Sequence, residues 1–370
     1  VSVIVVAPDS FKGSASAAEV AVAVADGWLT ERPDDRVVLA PMADGGEGTL
    51  DAFEAAVPGA VRHPVRVLGP AGDSVHASWL ALPDGTALVE LAETSGIGLM
   101  SSLAPFDAHT VGFGEAISAA LTAGATGLLL AIGGSASTDG GVGALTALGA
   151  RFVDADGHDL ARGNRGLARL ATVDLSALVP VPPGGARILS DVTSPLLGPL
   201  GAAAVFGPQK GARPDDVPVI EAGLRRLAET VQGAGLTADV DAPGAGAAGG
   251  TGFGLLLWGA RMAPGAAAVG EAIGLPATIG AADAVITGEG RFDDQSAAGK
   301  VPSYVARLAR DGRVPVLLAA GAIEAPTTGF ADGVSLSELA GGADAAIAEP
   351  LRWARAAGAA LARRLTARRG

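Results

Sequence analysis

The stretch Gly288-Glu289-Gly290-Arg291-Phe292-Asp293-Asp294-Gln295-Ser296-Ala297-Ala298-Gly299-Lys300 concentrates carboxylates, a guanidinium, an amide and an ammonium between glycines. It follows the apolar run Ala284-Val285-Ile286, which reads as a buried strand. Core packing needs none of these groups so close together, whereas a turn that touches a charged ligand does. The lysines single out this stretch and two others. Of 26 basic residues only Lys12, Lys210 and Lys300 are lysine, and each adjoins or nearly adjoins a glycine, in Phe11-Lys12-Gly13, Gln209-Lys210-Gly211 and Gly299-Lys300. A lysine kept in an arginine-rich chain points to a site where a planar guanidinium does not substitute. Compact ammonium groups beside Gly-rich backbone suit a phosphate or a carboxylate.

Further polar loops follow predicted strands. Gly133 to Gly141 lies between the strand Leu128–Ile132 and a predicted helix through Leu145 and Leu148, and its amides and hydroxyls suit an anion. The plain alternative is a strand-to-helix turn capped by Thr138 or Asp139. Asp191 closes the strand Arg187–Leu189 and is a magnesium ligand, a group that orients a hydroxyl, or a turn aspartate; Asp44 and Glu47 pose the same choice. Gly244, Gly246 and Gly249 match a dinucleotide fingerprint, but they lie in an Ala/Gly tract with no strand before it. No Walker loop and no protein-kinase motif is present.

The elements that position these loops alternate. Val3–Ala7 predicts a strand buried on both faces. Ser16 and Glu19 have capping-box spacing ahead of a helix with Val20, Val24 and Trp28 on one face. The strand Val37–Ala40 and a helix with Leu50 and Phe53 in the core come next. Val65–Leu68, Val75–Leu82 and Ala87–Leu91 read as an antiparallel ribbon. Past Gly280 strand and helix alternate again, and the last helix sets Leu351, Ala354, Gly358, Leu361 and Leu365 on one stripe, with its arginines solvated. The expected fold is α/β: a parallel-sheet domain made from residues 1–62 plus 281–370, with a second α/β domain, 63–280, inserted and a cleft between them. Ala242–Gly252 is the one low-complexity linker.

Composition excludes much. No cysteine removes disulfides, thiolate metal sites and cysteine nucleophiles, and none of the four histidines has a metal-ligand spacing. A net charge of -13 argues against nucleic acid or an anionic membrane as partner. No apolar run reaches the roughly 18–20 residues of a membrane span. A soluble cytoplasmic protein is expected, and a homo-oligomer is compatible with the sequence.

In order along the chain, Ala7 to Ser14, Pro41 to Thr49, Gly133 to Gly141, Asp191-Val192-Thr193, Phe206 to Ala212 and Gly288 to Lys300 resemble the signature segments of the type 1 family of bacterial glycerate kinases. Ser194 stands where that family usually has asparagine, and Ala322 where serine or threonine is common. The resemblance implies ATP-dependent phosphorylation of D-glycerate, at the 2-hydroxyl, with Mg2+, in two α/β domains of which the discontinuous one is Rossmann-like. With it, Lys12, Lys300 and Arg291 become candidates for contacting phosphate or the glycerate carboxylate, and Asp191 for orienting or deprotonating the hydroxyl. Asp9, Ser10, Gly133, Gly134, Ser135, Gln209, Lys210 and Gln295 are the expected nucleotide-binding residues, and Glu289 and Asp293 the expected metal ligands, through water. A 3-phosphoglycerate-forming kinase, a non-catalytic sensor of a phosphorylated acid and a dinucleotide-dependent oxidoreductase are the alternatives.

Overall fold

Unbroken apolar runs form the central strands, because a strand covered on both faces has no polar side. In chain order the strands are β1 (Val3–Pro8), β2 (Arg36–Leu39), β3 (Val61–Leu68), β4 (Ser74–Ala81), β5 (Thr86–Glu90), β6 (Gly127–Ala131), β7 (Arg151–Val153), β8 (Thr172–Asp174), β9 (Ala186–Leu189), β10 (Arg261–Ala263), β11 (Ala284–Gly288), β12 (Arg291–Phe292), β13 (Val316–Ala320), β14 (Ala322–Ile323) and β15 (Asp332–Ser335). The computed structural model describes residues 1–11, 13–293 and 300–369. The chain is α/β and divides into two compact units. The first comprises Val1–Asp44, Asp51–Val57 and Gly265–Gly370, and the second Gly45–Leu50 and Pro58–Pro264.

The first unit holds a parallel sheet in the order β15-β13-β11-β1-β2. The helix Ala17–Glu31 leaves β1, and Ser16 caps it in a complete capping box with Glu19. Val20, Val24 and Trp28 are buried, as their spacing predicts. This helix packs on the final helix, Pro350–Arg369, and the two share a core with Ile4, Val6, Ile286 and Leu317. The helix Val301–Asp311, which follows β11, packs on β1, β11 and β13 together with the helices Gly265–Ala272 and Leu275–Gly280, outside that core. Side chains alternate across a strand, so the two helix sets cover opposite faces. Adjacent strands β1 and β11 therefore send their connections to opposite sides, which opens a crevice at their carboxyl ends.

The second unit is built on a mixed sheet, β10-β9-β6-β5-β4-β3. Strands β3, β4 and β5 are antiparallel as expected, but β5 also pairs in parallel with β6, so the ribbon extends a parallel core of β5, β6, β9 and β10. The short antiparallel pair of β7 and β8 stands apart from that sheet.

Two sequence expectations are corrected. Ala242–Gly252 is no linker: Ala245 and Ala247 are buried in the core, and a Cβ on Gly249 would stand 2.0 Å from the Ser137 carbonyl oxygen. The low complexity reflects backbone packed on backbone. Leu351 is exposed, whereas Ala354, Leu361 and Leu365 are buried, so the final helix's stripe begins one turn later.

The two long helices of the first unit cross at glycines. A Cβ on Gly27 would lie 1.9 Å from the Arg355 carbonyl oxygen, and one on Gly358 would lie 2.1 Å from that of Val24. Ion pairs Asp26–Arg355 and Glu31–Arg363 flank the contact. Alanine gains up to about 1 kcal/mol over glycine in a helix interior, but neither carbonyl can move without parting the helices. G27A and G358A are each expected to destabilise the protein by about 1–3 kcal/mol, read as a lower melting temperature. A raised melting temperature in both would show that the helices do not depend on this contact.

Candidate active site

At the carboxyl ends of β1, β11 and β13 the first unit encloses a cavity of about 300 Å³. The loop after β1 contributes Ser10, Phe11 and Ser14, and the loop after β11 contributes Glu289, Gly290, Arg291 and Asp293. Lys300, at the N-cap position of the helix Val301–Asp311, completes the charged lining. Buried Asp9 lies beside this lining; its amide donates to the Gly288 carbonyl, and its carboxylate accepts from the Ser10 amide at 2.7 Å. Ser10 is 8% exposed, and its hydroxyl is buried and makes no hydrogen bond among the described residues. Glu289 is nearly buried at the cavity wall. Arg291 is carried out by the short parallel pair β12–β14, mostly exposed, with Glu324 at 3.7 Å. Lys12 and Gln295 lie outside the described residues.

In the second unit the expected residues also gather at the carboxyl ends of parallel strands. Gly133, Gly134 and Ser135 follow β6, and half-buried Asp191 follows β9, the strand beside it. The Gly133 amide is already committed to the Gly45 carbonyl at 3.0 Å. The Gly134 and Ser135 amides make no hydrogen bond among the described residues, so these two, unlike Gly133, keep their donors uncommitted there. Lys210 is 2% exposed, and its ammonium points into the protein, 2.6 Å from both Ser135 Oγ and the Ser137 carbonyl. It braces the loop from within, while neighbouring Gln209 is exposed.

Two acids that the sequence reading did not place in the site hold these loops. Glu90, the last residue of β5 and 2% exposed, accepts from the amides of Gly48 at 3.0 Å and Leu50 at 2.9 Å. An acid ending an otherwise apolar strand was the available signal. Asp139 accepts from the Thr110 amide and hydroxyl and from the amides of Gly141 and Gly143. It therefore fills the capping role that was the plain alternative for its loop, and it does so for two helix starts. Beside it, burial holds the His109 imidazole below its ordinary range against the pull of Asp139. Asp154, Asp156 and His158 form a carboxylate and imidazole cluster in the turn after β7, where Asp154 is already engaged by two backbone amides and Arg169.

A family model described as the glycerate kinase family matches residues 4–366. The chain is 44% identical over 326 residues to a glycerate 2-kinase of Escherichia coli K12, covering 86% of this chain and 85% of that protein. It is 42% identical over 325 residues to a glycerate kinase of Bacillus subtilis 168, with the same coverage. The crystal structure of a Salmonella typhimurium LT2 protein assigned as a glycerate kinase 2 superposes with a TM-score of 0.80 at 38% identity, over 100% of this chain and 99% of that one.

Lys210 gives the site a measurable titration. Burial lowers its amine from the ordinary 10.5 to about 7, with Asp139 opposing the shift. Between those values the unfolded chain binds the proton and the folded chain does not, so this group makes stability rise with pH. Below about 7 the whole cost of charging a buried amine is present. Urea midpoints of the wild type should therefore gain on those of K210M between about pH 7 and about pH 9. Parallel curves across that range would mean that the amine keeps its ordinary basicity in the fold.

Proposed function

This chain belongs to the glycerate kinase family, and we propose from that premise that it transfers the γ-phosphoryl group of ATP to the 2-hydroxyl of D-glycerate, giving ADP and 2-phospho-D-glycerate. The observation that carries the reading is the cavity at the β1–β11 crevice, where a lysine, an arginine, two acids and a serine whose buried hydroxyl has no hydrogen-bond partner among the described residues meet. Both substrates are anions, and phosphoryl transfer depends mainly on positioning and on stabilising charge spread over the transferred oxygens. The name of the Escherichia coli relative favours the 2-position. We place the activity in the cytoplasm, where ATP is made available.

The cavity's donor set fits a hard divalent cation, because its polar lining offers carboxylate and hydroxyl oxygens and neither imidazole nor thioether. Glu289 and Asp293 would hold Mg2+, in part through water, and the ion would neutralise charge on the donor phosphates. Lys300, Arg291 and Lys12 bind phosphate oxygens or the glycerate carboxylate. The amides of Gly134 and Ser135 supply further anion donors. Asp9 shapes the turn that presents Ser10, Lys210 braces the loop of Ser135, and exposed Gln209, with Gln295, completes the nucleotide contacts. Asp191 orients the 2-hydroxyl and takes its proton as the oxygen attacks the γ-phosphorus and the bond to the ADP oxygen breaks.

A coupled assay for D-glycerate-dependent ADP release, with phosphorus NMR of the product, tests the reading directly. The expected product is 2-phospho-D-glycerate; a 3-phosphate would move the acceptor to the other hydroxyl, and no ADP release would remove the activity. D191N is expected to lower kcat by roughly 10²–10⁴-fold with a modest change in the KM for ATP. Near-parental turnover would take the proton-accepting role away from Asp191.

A further inference from the structure

The cavity of the first unit is lined by two chemically unlike sets of residues. Ser10, Glu289, Asp293 and Lys300 come from the loops after β1 and β11 and from the helix start that follows. Leu336, Ala343, Ala346, Ile347 and Pro350 come from the chain after β15 and bring only hydrocarbon side chains. In the sheet order β15 stands two strands from β11, roughly 10 Å away at ordinary strand spacing. The lining thus changes from charged to apolar over the length of a small organic ligand. Ile347 is the informative member. It is 63% exposed although it lines a cavity, on the short helix Ala343–Ala348 whose Ala346 is buried. A lone exposed aliphatic residue needs no explanation. One that continues a cavity wall with four other apolar side chains is a surface awaiting a ligand with an apolar face.

D-Glycerate has no such face: each of its three carbons carries oxygen. Adenine has two broad ones. Resting on the kinase reading above, we propose that residues 343–350 form the nucleobase shelf of the phosphoryl donor, with the base against Ala343, Ile347 and Pro350. The triphosphate then runs along the strand ends toward Ser10 and Lys300. The shelf contributes shape and hydrocarbon contact. The Ser337 hydroxyl beside it is already committed to the Gly321 carbonyl at 2.7 Å, so base contact is carried by the apolar side chains.

The test pairs I347D with I347K, at a position exposed enough to accept either residue, and uses two readouts. One is the KM for ATP against the KM for D-glycerate. The other is titration with a fluorescent adenine nucleotide, mant-ADP, which needs no turnover. Losing one large aliphatic contact and desolvating a charge should weaken nucleotide binding about tenfold or more. The expected result is a rise in the KM for ATP and weaker mant-ADP binding in both variants, with I347L close to the parent. An unchanged KM for ATP, or an effect confined to the KM for D-glycerate, would overturn the shelf. Tighter nucleotide binding in I347K would overturn it too, because it would put phosphates where the base is proposed. The two readings fail separately: mant-ADP binding weakened by both variants, without glycerate-dependent ADP release in the parent, would keep the shelf and discard the kinase.

Discussion

The pairing of β1 with β11 is the constraint on which the first unit rests. Residues some 280 positions apart in sequence run side by side, from Ile4 against Ala284 to Pro8 against Gly288. Hydrogen bonds at both ends lock the register: the Asp283 carboxylate accepts from the Val3 amide, and the Gly288 carbonyl accepts from that of Asp9. Closing so long a loop as flexible chain costs about 5 kcal/mol in the logarithmic term alone, and the ladder forms only after that cost is met. What it achieves is positional. Two strands whose connections depart to opposite faces become neighbours, and their ends deliver Ser10 and Glu289 to one cavity. Neither polar segment forms that lining without the other.

The second unit solves a different problem. Its site loops are rich in glycine, and such backbone has many conformations to lose on folding. Buried polar side chains select one of them. Glu90 holds the turn at Gly48 through two amides, Asp139 gathers the starts of two helices, and Lys210 ties Ser135 to Ser137. Each of these groups sits in low dielectric and is tolerated because backbone and hydroxyl dipoles compensate for the lost water. The arrangement is costly in solvation and specific in geometry, which would suit the anion-donor role proposed for the Gly134 and Ser135 amides.

Periodicity and caps made much of this legible. The β-branched run at Val3, the Ser16–Glu19 capping box and the 3.6-residue spacing of Val20, Val24 and Trp28 all describe local energetics, and local energetics prevailed. The polar residues around Glu289 and Lys300 were legible as chemistry because packing gives no reason for them. The meaning of Lys210 was not. Its rarity marked it, yet whether a lysine points outward to a ligand or inward to a loop depends on contacts with Ser135 and Ser137, about 75 residues earlier. Ala242–Gly252 misled for a related reason. Low complexity ordinarily denotes a linker, but small residues are also what backbone-to-backbone packing requires, as at Gly249 against Ser137.

The absence of a Walker loop follows from how the first unit distributes its groups. A Walker loop wraps phosphates in consecutive amides of one turn. Here the turn after β1 spends these backbone amides on the protein: the Asp9 amide goes to the Gly288 carbonyl of β11, the Ser10 amide to the Asp9 carboxylate, and the Ser14 amide to the Phe11 carbonyl. In the function proposed above, side chains from several strand ends would supply what that backbone does not. That gives Arg291 and Lys300 their place in the cavity lining. It also accounts for a lining that can change character along its length. A single wrapping loop imposes one chemistry, whereas side chains gathered from β1, β11 and the chain beyond β15 can be charged at one end and hydrocarbon at the other.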